Sequence, residues 1–348
     1  MARKKGSYRS MKKQEPAVMT MRFPPIAVPS SGLSSVTVDI SQCASLLNRR
    51  FYRQGINWAV AGIKILTSSG DPINRAEGYV SVTKLPETWI MANSWEKGFR
   101  HWQRMNNEAL AESESVRPKF LDFKIYADSL HHSAGFDGNL LPASGLGAIA
   151  TPGEWESSKF SIPRTDGTAT ALSREVVAVG PSYPGASPVS GLDAVSLIEG
   201  YAASRSLPNV LDPNVPDDAA LVTGNIPENW LGALFNEGTR QDEIVMEDMI
   251  SENNIAPYPF ENDGVNNDTM YPNGANQLTG LQFHDDSYIT SSTIGGHTRL
   301  KGGQFPCGLM RFNVINTTPE NTEIEYSIQI DLVPGSHRGY LCETMTEM

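Results

Sequence analysis

The sequence predicts an all-β fold: an antiparallel β-sandwich of eight strands, with one helix after the third strand and a large insertion. Residues 323–333 (EIEYSIQIDLV) alternate Ile324, Tyr326, Ile328, Ile330 and Leu332 with Glu325, Ser327, Gln329 and Asp331. That is the period of two of a strand with one buried face. Residues 33–42 show the same pattern near the other terminus, Val36, Val38 and Ile40 alternating with Thr37, Asp39 and Ser41. Composition agrees: Gly 30 and Pro 23 among 348 residues, with 19% charged, fit a loop-rich β protein better than a helical bundle. The two half-buried strands at opposite ends are expected to pair and close the sheet beginning to end, as Greek-key sandwiches and jelly rolls do.

Residues 1–31 read as a basic arm and linker. Arg3, Lys4, Lys5, Arg9, Lys12 and Lys13 fall within the first 14 residues, which contain no acid. Subtracting these six from the net charge of −11 leaves −17 on the remainder. Such a segment cannot fold alone and is expected to stay disordered until it meets a polyanion, although a tail that aids solubility or localisation has the same composition. The three prolines of residues 21–32 exclude helix and central strand, so this stretch reads as an extended linker.

The span 32–180 is expected to hold strands one to six. After the strand at 33–42, residues 44–54 (ASLLNRRFYRQ) form either a short turn of helix or a continuation of the strand. Arg49, Arg50 and Arg53 cluster there around Phe51 and Tyr52. Basic residues interleaved with aromatics suit phosphate contact and base stacking, and equally suit a solvated or subunit-contacting edge. Residues 57–66 (NWAVAGIKIL) read as a buried strand and 78–84 (GYVSVTK) as the third.

Met91, Trp95, Phe99, Trp102, Met105 and Leu110 then recur at helical spacing, predicting an amphipathic helix capped by Asn93 or Ser94. Its aromatic stripe reads as core packing. Lys97, Arg100, His101 and Arg104 on the same helix make a second positive cluster. Residues 119–127 (KFLDFKIYA) alternate as a fourth strand, residues 131–153 form a Gly-rich loop, and 155–162 and 168–179 are strands five and six.

From 181 to 305 the strand rhythm is lost, and the span reads as a surface or inter-subunit insertion with helices at 192–205 and 228–252. Residues 306–348 restore the pattern with strand seven at 309–316, strand eight at 323–333 and a short tail.

No catalytic constellation emerges: GxSxG, HExxH, GxxxxGK[ST] and GxGxxG are all missing, so no enzymatic activity and no cofactor are expected. His131-His132 with Ser133 and Asp137, and His284-Asp285-Asp286 near Tyr288, have the residue types of a metal site or His–acid pair, and equally of solvated loops. Asp212, Asp217 and Asp218 could bind calcium between subunits or form a solvated acidic loop. Cys43, Cys307 and Cys342 are odd in number and widely spaced, which argues against a disulfide scaffold or zinc knuckle. The sequence shows no membrane-spanning apolar run and no secretory leader, so a soluble protein made in the cytosol is expected.

The N-terminal MARKKGSYRSMKK, the proline-rich MRFPPIAVP, the eight-strand order and a closing strand near the C-terminus together resemble a known family. It is the single-jelly-roll capsid proteins of small circular single-stranded DNA viruses that encode their own replication initiator. The resemblance implies a self-assembling icosahedral shell and a location in the virion, after synthesis in the host cytoplasm. It implies two partners besides a host receptor, the chain itself and a single-stranded genome. Carried over, Arg3, Lys4, Lys5, Arg9, Lys12 and Lys13 contact the genome. Many such capsids have longer arms, so Arg49, Arg50, Arg53 and Arg100, or counterions, are expected to supply further neutralisation. The alternative from a different class is a sandwich domain that recognises carbohydrate or a receptor through its loops.

Overall fold

The computed structural model describes residues 16–69, 76–111, 113–143, 147–162, 172–183, 193–205, 230–233, 280–290, 297–319 and 322–348. β1 (Thr20–Arg22) and β2 (Ile26–Val28) flank Pro24 and Pro25, and β3 (Leu33–Asp39) runs into α1 (Ile40–Asn48). β4 (Ile56–Ser69) and β5 (Gly78–Lys84) precede the long α2 (Trp89–Ala111). Beyond it come α3 (Ser129–Ala134), β6 (Lys159–Ile162), β7 (Leu172–Val177), β8 (Ala194–Ser196), α4 (Leu197–Arg205) and the single turn α5 (Trp230–Ala233). β9 (Gln282–Ile289), β10 (His297–Phe305), β11 (Leu309–Asn316) and β12 (Ile324–Leu332) follow. The short β13 (Pro334–Gly335), β14 (Gly339–Tyr340) and β15 (Cys342–Thr344) end the chain.

Two antiparallel sheets share one core, which makes the protein an antiparallel sandwich. The first runs β1-β12-β4-β10, with β2 also on β12 and β15 also on β4; the second runs β3-β11-β5-β9. β12 buries Ile324, Tyr326, Ile328, Ile330 and Leu332 and leaves the residues between them wetter, as its alternation predicts. Across from it, Val80 and Val82 of β5 and Phe312 and Val314 of β11 complete the core. Each such side chain contributes about 1.5–3 kcal/mol by leaving water.

The expected pairing of 33–42 with 323–333 does not occur. β3 and β12 lie in different sheets, joined across the core by a hydrogen bond between Ser34 Oγ and Tyr326 OH at 3.1 Å. Closure falls instead to the stretch read as linker, because β1 and β2 both pair with β12, Met21 opposite Ile330 and Ala27 opposite Glu325. An edge position tolerates proline, since only one side of the strand must donate, and Pro24 and Pro25 fall between the two short pairings.

The membership of the sandwich also differs from expectation. Residues 119–127 make only an isolated bridge, Tyr126 to Val177, and 155–162 and 168–179 supply β6 and β7 of a separate three-stranded sheet with β8. β9 and β10, inside the span expected to be insertion, are sandwich strands. Among the described residues, none between Lys84 and Gln282 adds a strand to either sandwich sheet.

This intervening region has its own core. Trp95 and Trp102 of α2 pack with Phe123, Phe160, Val176, Leu197 and Trp230, and the cluster reaches the end of the sandwich at Leu85 and Leu309. Thr88 immediately precedes α2, its carbonyl accepting from Ala92 N at 3.0 Å; Asn93 and Ser94 lie inside the helix rather than at its cap. Gly98 lets α4 approach, because a Cβ there would sit 2.5 Å from Leu197 Cδ2.

Candidate nucleic-acid interface

Arg3, Lys4, Lys5, Arg9, Lys12 and Lys13 lie outside the described residues, as do Asp212, Asp217 and Asp218. Arg49, Arg50 and Arg53 are described, and all three are exposed. Local chemistry fixes their loop. Asp39 caps α1, its Oδ1 accepting from Ser41 N at 2.8 Å and Gln42 N at 3.2 Å. The helix stops where Arg49 turns left-handed, at φ 54° and ψ 35°, a conformation glycine usually supplies.

The root of the arm is pinned beside this turn. Asn48 Oδ1 accepts from Val18 N at 3.0 Å, while its Nδ2 donates to Ala44 O at 2.9 Å and to Tyr340 OH at 2.7 Å. Tyr340 OH in turn donates to Val18 O at 2.7 Å, and Arg50 Nη1 donates to Pro16 O at 3.4 Å. The described chain therefore begins against Arg50 and the end of α1.

Tyr52 anchors the middle of the loop in the sandwich core. It is fully buried, its ring 5.8 Å from that of Trp58 and 5.4 Å from that of Tyr340, and its OH donates to Arg338 O at 3.1 Å. The neighbouring Phe51 packs elsewhere, 5.3 Å from the Phe120 ring and 6.3 Å from Trp155. Cations surround these rings. Lys124 Nζ stands 4.7 Å from the Trp155 centroid and 5.6 Å from Phe51, Arg53 is 5.8 Å from Phe51, and Lys119 Nζ is 5.4 Å from Phe120. Arg338 donates to Phe51 O.

A buried polar node assembles these segments. Gln54 Nε2 donates to Asp39 Oδ2 at 3.0 Å and to Ile125 O at 3.1 Å, and its Oε1 accepts from Ile125 N at 2.6 Å. Trp155 Nε1 donates to the same Asp39 oxygen at 3.1 Å. Burial pushes the Asp39 carboxyl up to about 6, against the pull of those four donors. Asp122 is also raised by burial, with Lys124, Gln54 N and Arg53 drawing it down.

Arg53, Lys119 and Lys124 thus stand within 6 Å of the centroids of three aromatic rings, with Arg338 bonded to the Phe51 carbonyl and Asp122 3.8 Å from Lys124. Sequence reading finds the three arginines of the loop. It misses Lys119, Phe120, Lys124, Trp155 and Arg338, which arrive from distant segments; the one local signal is cations beside aromatics in KFLDFK. The second positive cluster, on α2, is internally matched: Arg100 pairs with Glu96, Arg104 pairs with Glu108 at 3.1 Å, and Lys97 lies over the Tyr201 ring at 5.9 Å.

His131, His132 and His284 each hydrogen-bond within the fold. His131 is buried, its Nδ1 accepting from Ala127 N at 3.0 Å and its Nε2 donating to Asn139 Oδ1 at 2.8 Å. Burial and the nearby Arg311 push it down to about 3, so it is neutral at pH 7. His132 Nε2 meets Glu175 Oε2 at 2.7 Å. His284 and Asp285 cross-link β9 to β10, through Lys301 O at 3.1 Å and Lys301 N at 2.7 Å. Among the described residues, no three His, Cys, Asp or Glu side chains gather as a metal site.

Beside Trp155 a cavity of about 300 Å³ is lined by Tyr126, Phe136, Glu154, Glu156 and Glu175. Comparison with protein-family models, curated proteins and solved structures yields no match.

Proposed function

We propose that the chain is a viral coat subunit, a jelly roll that assembles into a closed icosahedral shell and retains a single-stranded genome by charge rather than by sequence. The strand order supports the jelly roll. With the short β1 and β2 counted together as the first strand and β15 set aside, the strands of the sandwich lie 1-8-3-6 in one sheet and 2-7-4-5 in the other, the interleaving that two nested Greek keys generate. Coat and lectin domains share that architecture, so function must rest on the site.

The observation that supports packaging is where the described chain begins, at the root of the basic arm. Six cations in residues 3–13 lead into Pro16–Val18, which the fold pins against Arg50 on a chain of net charge −11. A cationic segment rooted next to a cationic patch contacts phosphates without reading sequence. Repetition over many subunits turns weak contacts into firm retention. The genome fits best as single-stranded DNA, the shell's other partner being further copies of the chain, and no catalytic step or cofactor is required.

Electron microscopy of the purified full-length protein tests this. Uniform closed particles carrying nuclease-protected nucleic acid are expected, and deletion of residues 2–14 should leave the particles but empty them. A stable monomer indifferent to salt and nucleic acid would overturn the reading. It would favour a loop-based carbohydrate-binding module, for which the aromatic, carboxylate-lined cavity beside Trp155 has a suitable volume.

A further inference from the structure

We propose that Phe120, backed by Phe51, is a stacking platform for an unpaired base of the strand, with Lys119 and Arg53 holding the flanking phosphates. This rests on the packaging function above and adds what the patch recognises, the face of a base as well as backbone charge.

Phe120 is 55% exposed. Isolated exposed apolar side chains are ordinary on protein surfaces, but this ring is not isolated. Phe51 meets it at 5.3 Å and Trp155 lies 6.3 Å beyond Phe51, so one open ring tops a wall of two more. Aromatic groups alone would suit a protein partner. Here each ring has a cation within 6 Å of its centroid: Lys119 at Phe120, Arg53 and Lys124 at Phe51, and Lys124 at Trp155. Cation–π contacts at exposed sites are weak, so an arriving phosphate can draw Lys119 and Arg53 away and leave the Phe120 face to a base. That combination of cationic rim and stacking ring is what a single strand requires.

The wall is also built to hold still. Gln54 bonds the Phe51 loop to Ile125 and Asp39, and Asp39 takes the Trp155 indole N–H. Phe120 itself projects from a segment exposed from 113 to 120, so removing its ring leaves the core untouched. Because every base has a π face, the contact adds affinity without sequence preference. Unlike the arm's contribution, it does not vanish with salt.

The test compares binding of fluorescent oligothymidylate with an abasic oligodeoxyribonucleotide of equal length and charge, at fixed salt, to the full-length protein. Wild type should prefer the thymidylate by about tenfold. Phe120→Ala should lose that preference while binding the abasic strand as before, and Phe120→Trp should keep it. An unchanged preference in Phe120→Ala, or none in wild type, overturns the stacking platform and leaves packaging intact. Binding of neither strand by wild type overturns both. A Phe120→Ala protein that assembles differently yet keeps its preference assigns the ring to a contact between subunits and overturns the proposal.

Discussion

The Arg311 guanidinium grips the Asp128 carboxylate with two nitrogens, tying β11 of the sandwich to the N-cap of α3. Both side chains are largely buried, at 8% and 15% exposure. Burial pushes Asp128 up, yet Arg311 and the His131 backbone amide together hold it below its ordinary value. Removing one member leaves the other charge stranded, which costs about 3–5 kcal/mol. Arg311→Leu should therefore lower stability in urea unfolding by that order, and adding Asp128→Leu should recover part of it. Strict additivity of the two losses would refute the pairing as the cause.

Salt dependence separates the arm from the patch. Each phosphate contact on a single strand contributes about 0.7 to the slope of log affinity against log salt. Replacing Arg49, Arg50 and Arg53 together by Ser should reduce the slope by about 2, and deleting residues 2–14 by about 4. Titrating oligothymidylate binding over a salt series reads both. If the triple variant keeps the full slope, those arginines do not touch phosphate.

The sandwich was legible wherever one face is buried and the other wet. Strands 78–84 and 309–316 coincide with β5 and β11, and β12 falls within one residue of its expected ends. The expected total of eight strands is not reproduced, since the described residues hold 15 strands, several of them only two or three residues long. β1 and β2 were hidden by Pro24 and Pro25, because an edge strand needs only part of its backbone donors. β9 was hidden by its polar face: Asp285 and Asp286 oppose Val82 and Ser81, with a bulge between Val82 and Thr83 that interrupts the alternation. β10 carries Gly302 and Gly303, which weaken its strand pattern, and Gly302 admits the backbone of Val60 and Ala61. The candidate site was legible only in part, since Phe51 and Arg53 are local while Phe120 reaches them by ring contact and the segments of Lys124 and Trp155 are held by bonds from Gln54 to Ile125 and from Trp155 to Asp39.

Gly98 offers a test of how the inserted region docks its two helices. A Cβ there meets Leu197 Cδ2 in a fully packed site, with Phe123 also within reach at 3.8 Å. Gly98→Val should cost about 1–3 kcal/mol through overpacking, offset only in part by relief of glycine's own helix penalty. Pairing Gly98→Val with Leu197→Ala should restore much of the loss in thermal unfolding. A loss of the same size in the double variant would place the strain elsewhere.

Two buried groups give the stability curve opposing slopes in mild acid. His131, held at about 3 against an ordinary 6.5, binds fewer protons folded than unfolded. Its contribution is complete above 6.5 and is lost as pH falls toward 3. Asp39, raised from 3.8 to about 6, keeps its proton longer when folded. Its contribution is complete below 3.8 and is lost as pH rises through 6. Between pH 7 and pH 5, His131 removes about 2 kcal/mol and Asp39 returns about 1 kcal/mol. Asp39→Asn should therefore steepen the acid loss, whatever it costs at pH 7 by setting its amide against the Gln54 and Trp155 donors. His131→Gln should flatten or reverse the loss. Urea unfolding at several pH values between 5 and 7 measures these slopes, and parallel curves for the two variants and wild type would show that neither group titrates as its burial requires.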